Sequence, residues 1–395
     1  MACADSWTLV DGDFISHPVL LMSLDANGVK VSAPDGSDVR SLSWDSILEL
    51  DHTQPQSAQP AAADAPFSLH LNGGDCISGT PLSIADDVII WQHALLGRLE
   101  IPEDRAGAIV RQGQTVPGLD EARKDDSVRL VNGDSTSGVV QGMTESSISI
   151  QAAGADAAAQ IGLDKVAAIL LADPDPLAAP PPGSSGAWRV WLEDGSSLTV
   201  PLAQIPQGDN SPLTIGFSAK HSNSVATSAV TSIEPLDGPV KWLTELSPTE
   251  VVYHPFLEEN FPPRFDHPVD DPGETIRSRF PPFRHGIGVH SYTRLTYAVP
   301  DGFRTFRAQF GIERIPGSDM TKADVTVRLL LDGKVAREFT HVRYGSVAPP
   351  VLLDVSAAKE LALEVDYGDN LDAQDRFVWL DPAFVRSSPA TQPTQ

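Results

Sequence analysis

Residues Trp188–Val200 read "WRVWLEDGSSLTV", which is an apolar-rich stretch, an Asp-Gly pair and a second apolar-rich stretch. Asp-Gly supplies the positive φ of a tight hairpin turn at low cost, because Gly, Asn and Asp enter that region most easily. The stretch therefore predicts two antiparallel strands. The chain contains 33 prolines and 30 glycines, and such frequent turn residues favour short strands over long helices. We predict an all-β protein.

The same pattern occurs three more times in the first half of the chain. It reads "WTLVDGDFIS" from Trp7, "FSLHLNGGDCISG" from Phe67 and "VRLVNGDSTSG" from Val128, so the four starts lie 60, 61 and 60 residues apart. A fixed period of this length indicates a repeated supersecondary unit. We predict four small SH3-like or half-barrel β modules, at residues 1–52, 66–111, 127–172 and 187–238. Since one such module is marginally stable alone, we expect neighbouring modules to pack in pairs.

Two segments between the predicted modules have the composition of linkers. They read "TQPQSAQPAAADAP" (53–66) and "DPDPLAAPPPGSSGA" (173–187). Segments rich in Pro, Ala and Ser stay extended and bury no core. They separate the first module from the second and the third from the fourth.

The charge of the chain excludes several classes of partner. Asp and Glu number 53 against 28 Lys and Arg, which gives a net charge of −25. Such a surface repels phosphate, so we expect no nucleic acid partner. No apolar stretch reaches the roughly 18 residues of a spanning helix, so we expect no membrane insertion. Cys3 and Cys76 are the only cysteines, too few for a disulfide framework or a zinc site.

The pattern changes from Val240 onward. "TFRAQFGI", "VTVRLLLDGK" and "LALEVDYGD" each alternate apolar with polar residues, as strands with one buried face do. Several such strands separated by turns are typical of a two-sheet sandwich. We predict one sandwich domain at residues 240–388.

This region resembles a known family. The blocks "VKWLTELSPTEV", "FRHGIGVHSYTRLTYAVPDGFRTFRAQFGIE" and "LALEVDYGDNLDAQDRFVWLDPAFV" are similar, in order, to the NPCBM family, a carbohydrate-binding module associated with glycoside hydrolase family 98. The resemblance implies a non-catalytic, jelly-roll-type β-sandwich that binds sugar through its loops and holds a structural calcium ion. It also implies a periplasmic or secreted protein, although "MACADSWTLVDGD" at the N-terminus shows no secretory signal.

Sugar binding needs flat apolar faces together with polar groups that bond hydroxyls. Trp379 lies inside an apolar strand, which favours a core position, whereas Tyr344 lies in a predicted loop beside Arg343 and His341. We expect His285 on an exposed loop, and the following "GIGVHS" block to act structurally, with its glycines allowing a tight turn. The candidate carbohydrate-binding residues are Arg284, His285, Tyr292, Tyr344 and Trp379.

The segment "YGDNLDAQD" offers a high density of oxygen ligands, which suits calcium. A solvated turn whose carboxylates cap local N–H groups explains the same residues equally well. The candidate metal ligands are Asp369, Asn370, Asp372 and Asp375.

The sequence also lacks the common catalytic and nucleotide-binding motifs, which narrows the range of possible functions. It contains no GxSxG, HExxH, P-loop or GxGxxG context, so we expect no enzyme. The leading hypothesis is a non-catalytic multi-module protein whose C-terminal sandwich binds a glycan or polysaccharide. The alternative is a structural or protein-interaction scaffold of the cell envelope without sugar binding. In either case the N-terminal modules offer surfaces for a protein partner.

Overall fold

The computed structural model describes residues 6–52, 65–72, 74–114, 116, 119, 123–172, 187–206, 211–217, 221–236, 238–256, 260–270, 275–280, 283–315, 317–345 and 347–386. Cys3 and most of both predicted linkers lie outside these residues. The chain divides into two compact units, Met1–Gly238 and Pro239–Gln395. The predicted all-β fold is confirmed, since the described α-helix, α1 (Ile276–Arg279), has only four residues. No helix in the described ranges is long and apolar enough to cross a bilayer.

The described residues of the first unit form 21 strands, which we group into four modules. Module 1 contains β1 (Ser6–Asp11), β2 (Ser16–Asp25), β3 (Gly28–Ser32), β4 (Arg40–Leu42) and β5 (Ile47–His52). Module 2 contains β6 (Phe67–Leu71), β7 (Cys76–Ala85), β8 (Val88–His93), β9 (Gly97–Pro102) and β10 (Ala106–Arg111). Module 3 contains β11 (Asp126–Leu130), β12 (Ser135–Met143), β13 (Ser147–Ala152), β14 (Ala159–Gly162) and β15 (Val166–Leu170). Module 4 contains β16 (Trp188–Leu192), β17 (Ser197–Val200), β18 (Leu202–Gln204), β19 (Leu213–Gly216), β20 (Ser222–Val225) and β21 (Val230–Pro235).

Within each module the last strand pairs with the first, and a single 3-10 turn precedes that last strand. The last strands then join modules edge to edge. β10 pairs with β15, so modules 2 and 3 form a ten-stranded sheet, while β21 pairs with β5, so modules 1 and 4 share an eight-stranded sheet. The partners are therefore adjacent in sequence in one pair and distant in the other.

The hairpin turns explain why the Asp-Gly and Asn-Gly pairs occur. Gly133 and Gly195 have φ of 93° and 85°, which a residue with a Cβ adopts only under strain. Module 1 differs, because the left-handed residue in its turn is Phe14, with φ of 63°. There the Asp11 carboxylate accepts the N–H groups of Asp13 and Ile15 and holds the longer loop.

The second unit is a two-sheet sandwich. One sheet has the order β24-β25-β32-β27-β30, with β22 also paired to β32, and the other has the order β23-β26-β31-β28-β29. The strands are β22 (Val240–Trp242), β23 (Glu250–Tyr253), β24 (Arg264–Phe265), β25 (Gly286–His290), β26 (Thr293–Ala298), β27 (Thr305–Ile312), β28 (Asp324–Leu331), β29 (Lys334–Arg343), β30 (Val351–Asp354), β31 (Glu360–Tyr367) and β32 (Arg376–Val385).

Side chains from both sheets fill the core of the sandwich. Phe310, Phe377 and Trp379 pack edge to face or stacked, with ring centroids 5.2 to 5.6 Å apart. From the other sheet, Val327 and Leu363 join the same cluster. Burial of aromatic side chains of this size fixes the spacing of the sheets and leaves the strand ends free to carry polar groups.

Candidate functional site

Strand register brings polar residues together at one end of the five-stranded sheet. Asp324, the first residue of β28, pairs with Arg343, the last residue of β29. Val325 pairs with Tyr367, the last residue of β31. The loop that follows Tyr367 therefore begins beside Asp324 and Arg343.

We call the four polar residues at this end, Asp324, His341, Arg343 and Asp369, the Asp324 cluster. Asp324 Oδ2 lies 3.2 Å from His341 Nδ1 and accepts a hydrogen bond from Arg343 Nη2 at 3.1 Å. Asp369 Oδ2 lies 3.7 Å from His341 Nδ1 and 3.8 Å from Arg343 Nη2. The Asp324 side chain is 1% exposed, whereas the other three are 57%, 62% and 66% exposed. One buried carboxylate thus orients two side chains that remain open to solvent.

A β-bulge places His341. The register of β28 against β29 shifts between Val325 and Val327, and His341 adopts a φ of +56°. Bulges turn a side chain away from the regular alternation of a strand. The bulge allows His341 and Arg343 to contact the same carboxylate.

The electrostatics of Asp324 favour its ionised form. Burial of the carboxyl opposes ionisation, but hydrogen bonds with His341 and Arg343 outweigh burial and lower the pKa of Asp324. Asp324 Oδ1 is buried and accepts no hydrogen bond from the described residues. The cluster therefore contains a fixed negative charge beneath two hydrogen-bond donors.

The Asp324 cluster also meets one requirement of a metal site. Ligand atoms of Asp324, His341 and Asp369 lie within 4.8 Å of one another. Arg343 Nη2, however, contacts or approaches both carboxylates, and a metal cation would have to displace this guanidinium. The arrangement fits a neutral polar ligand better, since it offers donors from two side chains and an acceptor from Asp369.

A second group of charged residues crosses the exposed face of the same sheet. Arg328 on β28 contacts Glu338 at 2.7 Å, Glu364 at 2.7 Å and Asp366 at 2.9 Å. These three hydrogen-bonded carboxylates raise the pKa of Arg328. Tyr292 donates from its hydroxyl to Glu364 Oε2 at 2.9 Å. Because the Arg328 guanidinium is already bonded to three carboxylates and the Tyr292 hydroxyl to Glu364, this group has fewer free hydrogen-bond donors for a ligand than the Asp324 cluster.

Residues 241–385 match the model of the NPCBM/NEW2 domain. The second unit contains an NPCBM domain. No curated protein matches the chain.

Several solved structures are similar to the chain, all at low identity. The CBM51-2 and INT domains of Clostridium perfringens ZmpB show 22% identity over 46% of this chain and 38% of that chain, with a TM-score of 0.31. A Clostridium perfringens CBM51 module in complex with methyl-galactose shows 16% identity over 37% of this chain and 99% of that chain, with a TM-score of 0.29. The tandem CBM51 modules of a family 98 glycoside hydrolase from Streptococcus pneumoniae show 13% identity over 68% and 90%, with a TM-score of 0.32. This chain thus spans about two fifths of the ZmpB chain.

The five residues predicted to bind carbohydrate lie in different environments in the structure. Tyr344 directly follows Arg343 of the Asp324 cluster in the sequence. It is 42% exposed, so solvent reaches its side chain. Trp379 is 1% exposed and belongs to the core of the NPCBM domain. Tyr292 is half-buried, and its ring stacks on that of His254 with centroids 6.0 Å apart.

The expectation that His285 lies on an exposed loop is wrong, because the residue is 1% exposed. Its ring stacks on Trp242 with centroids 4.5 Å apart, and Nδ1 lies 3.1 Å from Thr244 Oγ1 and 3.2 Å from Asp266 Oδ1. The neighbouring Arg284 donates its backbone N–H to Asp381 Oδ1 at 3.0 Å. Both residues therefore anchor the start of β25 to the core.

The glycines of the "GIGVHS" block serve close packing, which differs from the tight turn expected. A Cβ at Gly288 would lie 2.5 Å from Val269 N, and one at Gly286 would lie 2.8 Å from Trp379 O. Every residue of β25 is buried. Ser291 then donates its hydroxyl to Asp375 Oδ2 at 2.7 Å, so the block ties β25 to the loop before β32.

Of the four predicted metal ligands, only Asp369 belongs to the Asp324 cluster. Asp375 is fully buried, and its carboxylate accepts hydrogen bonds from Ser291 Oγ and from Asp324 N. Burial raises the pKa of Asp375 to about 7. Asn370 donates its side-chain amide to Lys322 O at 3.1 Å, and Asp372 O accepts the N–H of Asp375. These contacts hold the loop in shape, and calcium binding by these four residues stays a prediction.

His341, Arg343 and Asp324 are the residues that the sequence did not rank as a site. The only signal was the position of His341 and Arg343 beside Tyr344 in "HVRYGSV". Asp324 carried no signal, because its contact with them depends on strand register.

Proposed function

We propose that the NPCBM domain binds carbohydrate at the Asp324 cluster, with the ring of Tyr344 as the apolar surface. The observation that best supports this proposal is the buried Asp324 carboxylate, which holds the two exposed donors His341 and Arg343 in fixed positions. Sugar hydroxyls both donate and accept, and adjacent hydroxyls suit a guanidinium beside a carboxylate. Tyr344 adds the flat face that ring C–H groups pack against.

The same geometry favours binding without catalysis. Glycoside hydrolysis needs a general acid whose pKa is raised and a second carboxylate across the scissile bond. Asp324 is buried and its pKa is lowered, so it does not supply the proton. Asp369 Oδ2 lies 3.7 Å from His341 Nδ1 and 3.8 Å from Arg343 Nη2 and accepts hydrogen bonds from a bound hydroxyl.

Arg343 Nη2 lies 3.1 Å from Asp324 Oδ2 and 3.8 Å from Asp369 Oδ2 and brings positive charge close to both carboxylates, so we propose that sugar binding at the Asp324 cluster requires no calcium ion. This part of the proposal departs from the ion that the family resemblance implies. We also propose that the protein works in the periplasm or outside the cell, which a carbohydrate ligand would favour. Fractionation of cells that produce the native protein tests that location.

The first experiment is a glycan array with the full chain, followed by calorimetry with the sugar class that binds. Loss of one charged hydrogen bond costs about 1.5 to 3 kcal/mol, so we expect Arg343→Ala to weaken binding by roughly 10- to 100-fold. Tyr344→Ala weakens it further by removing the apolar face. Arg337→Ala is the matched control, since Arg337 is exposed on the same strand β29.

Two outcomes contradict the proposal. If the folded chain binds no glycan on the array, carbohydrate is excluded as the ligand. A chain that binds a glycan equally well in all three variants keeps carbohydrate binding but moves the site elsewhere. The same array run with calcium and with a chelator tests the independence from the ion.

A further inference from the structure

Modules 2 and 4 contact each other through the beginning of their second strands. Thr199 on β17 donates its N–H to Asp75 Oδ2 at 2.6 Å, and Ser78 on β7 donates its N–H to Ser196 Oγ at 3.0 Å. All four residues are 9% exposed or less. Two hydrogen bonds from backbone N–H groups to side-chain oxygens therefore cross a buried contact between modules.

These two bonds are equivalent in the repeat. Ser78 pairs with Ser68 on the first strand of module 2, and Thr199 pairs with Arg189 on the first strand of module 4. In each module the acceptor lies three residues before the donor. Each module thus gives one acceptor and one donor to the other, which is the pattern of an isologous contact about a two-fold axis.

Module 3 presents the same groups to solvent. Ser137 pairs with Ser127 in the register that Ser78 has with Ser68, so its N–H points away from β11 in the same way. Asp134 lies three residues earlier, and "DSTS" there corresponds to "DCIS" in module 2. Both Asp134 and Ser137 are exposed. Val139 on the same side of β12 is 56% exposed.

Module 1 cannot make this contact. Val10 pairs with Ser16 there, as Arg129 pairs with Ser135 in module 3. This register places Ile15 at the acceptor position and Pro18 at the donor position. The Ile15 side chain has no acceptor atom, and proline has no N–H. Module 3 therefore retains both groups, and within the module Asp134 Oδ2 accepts the side-chain amide of Asn132 at 2.8 Å.

We propose that two copies of the chain associate through module 3, with each Asp134 carboxylate accepting the Ser137 N–H of the other copy. The contact repeats, between chains, the contact that modules 2 and 4 make within one chain. Val139 and Val131, which is 53% exposed, become covered by the second copy. This inference concerns a surface of the first unit and stands apart from the carbohydrate proposal.

Charge sets the strength of this dimer. Each copy has a net charge of −25, and the symmetric contact brings two Asp134 carboxylates to one interface. Repulsion between like charges weakens with ionic strength. We therefore expect a weak dimer that becomes stronger as salt is added.

Sedimentation velocity of the full chain over a range of protein and salt concentrations tests the dimer. Ser137→Pro removes the donor, and module 1 already accommodates Pro18 in this register. Asp134→Ala removes the acceptor. Loss of two symmetric hydrogen bonds, both accepted by a charged carboxylate, raises the dimer dissociation constant by 10-fold or more, on the order of 1.5 kcal/mol or above. Asp156→Ala is the control for charge, because Asp156 is an exposed acid on another loop of module 3.

A cross-link tests the geometry. Cys76 N lies 3.3 Å from Ser197 Oγ in the internal contact, and these two residues occupy the same position of the repeat. Ser135 has this position in module 3, so in the dimer it lies close to Ser135 of the second copy, near the two-fold axis. In a Cys3→Ser background, Ser135→Cys forms a disulfide-linked dimer faster than the exposed control Ser146→Cys. Cys76 does not compete, since burial raises its pKa to about 12. A chain that stays monomeric throughout, or a dimer that persists in both the Pro and Ala variants, overturns the proposal.

Discussion

Replacement of Asp194 by alanine tests how strongly polar contacts join modules 2 and 4. Asp194 Oδ2 lies 2.9 Å from His93 Nε2 and accepts the Ser78 hydroxyl at 2.7 Å. Oδ1 accepts the N–H of Ser196 at 3.0 Å. The side chains of Asp194 and His93 are both 0% exposed. His93 Nδ1 accepts the N–H groups of two following residues, so Nε2 carries the proton and donates it to Asp194.

The cost follows from the groups that Asp194→Ala leaves without an acceptor. A buried donor without a partner costs about 1 to 3 kcal/mol, and here the His93 Nε2–H, the Ser78 hydroxyl and the Ser196 N–H are affected. Ser78 and Ser196 regain part of this, because their hydroxyl oxygens lie 3.1 Å apart. We expect a loss of about 3 to 5 kcal/mol, which corresponds to roughly two buried donors left without an acceptor.

Urea denaturation of the first unit at neutral pH measures this loss, with Glu193→Ala as the control. Glu193 is the exposed acid next to Asp194, and its removal changes stability little. A loss below about 1 kcal/mol for Asp194→Ala would refute the reasoning, since the network would then contribute no more than one ordinary hydrogen bond.

Acid titration gives a second check on the same residue. Burial opposes ionisation of Asp194, but hydrogen bonds from His93 and Ser78 outweigh it and lower the pKa from 3.8 to about 2. A lowered pKa in the folded state stabilises the protein at pH values above 3.8, and this contribution is lost as the pH falls towards 2. The difference between the native chain and Asp194→Ala should therefore shrink over that interval.

Three further substitutions test the NPCBM domain. Gly288→Ala should destabilise the domain by about 2 kcal/mol or more in thermal unfolding, because overpacking strains a close backbone contact. The control is Gly311→Ala, since a Cβ there would lie 3.7 Å from its nearest neighbour. Asp375 has a pKa raised to about 7, so its contribution to stability declines as the pH rises from the unfolded value of 3.8 to 7. Asp375→Asn should gain stability relative to the native chain between pH 5 and 8, while Asp372→Asn should not. Arg343→Ala should bind Zn²⁺ more tightly than the native chain in calorimetry, because it removes the guanidinium that lies beside one imidazole and two carboxylates. Unchanged affinity would contradict the view that this guanidinium excludes metal.

Sequence alone does not separate buried from exposed rings in the NPCBM domain. Trp379 and His285 have the chemistry of sugar contacts, yet both are buried. An aromatic or imidazole ring serves the core and a binding surface equally well, so residue type alone does not separate them. Exposure depends on which strands cover the residue, and those strands are distant in sequence.

The sequence by itself determined the class of fold and the period of the repeat. Asp-Gly turns, alternating apolar residues and the NPCBM blocks are local features, and local conformational preferences are written within a few residues. The tertiary structure alone decided that module 4 pairs with module 1 and that Asp324 meets His341 and Arg343. Both contacts depend on the register of strands and on a bulge, and register is fixed by the packing of whole faces.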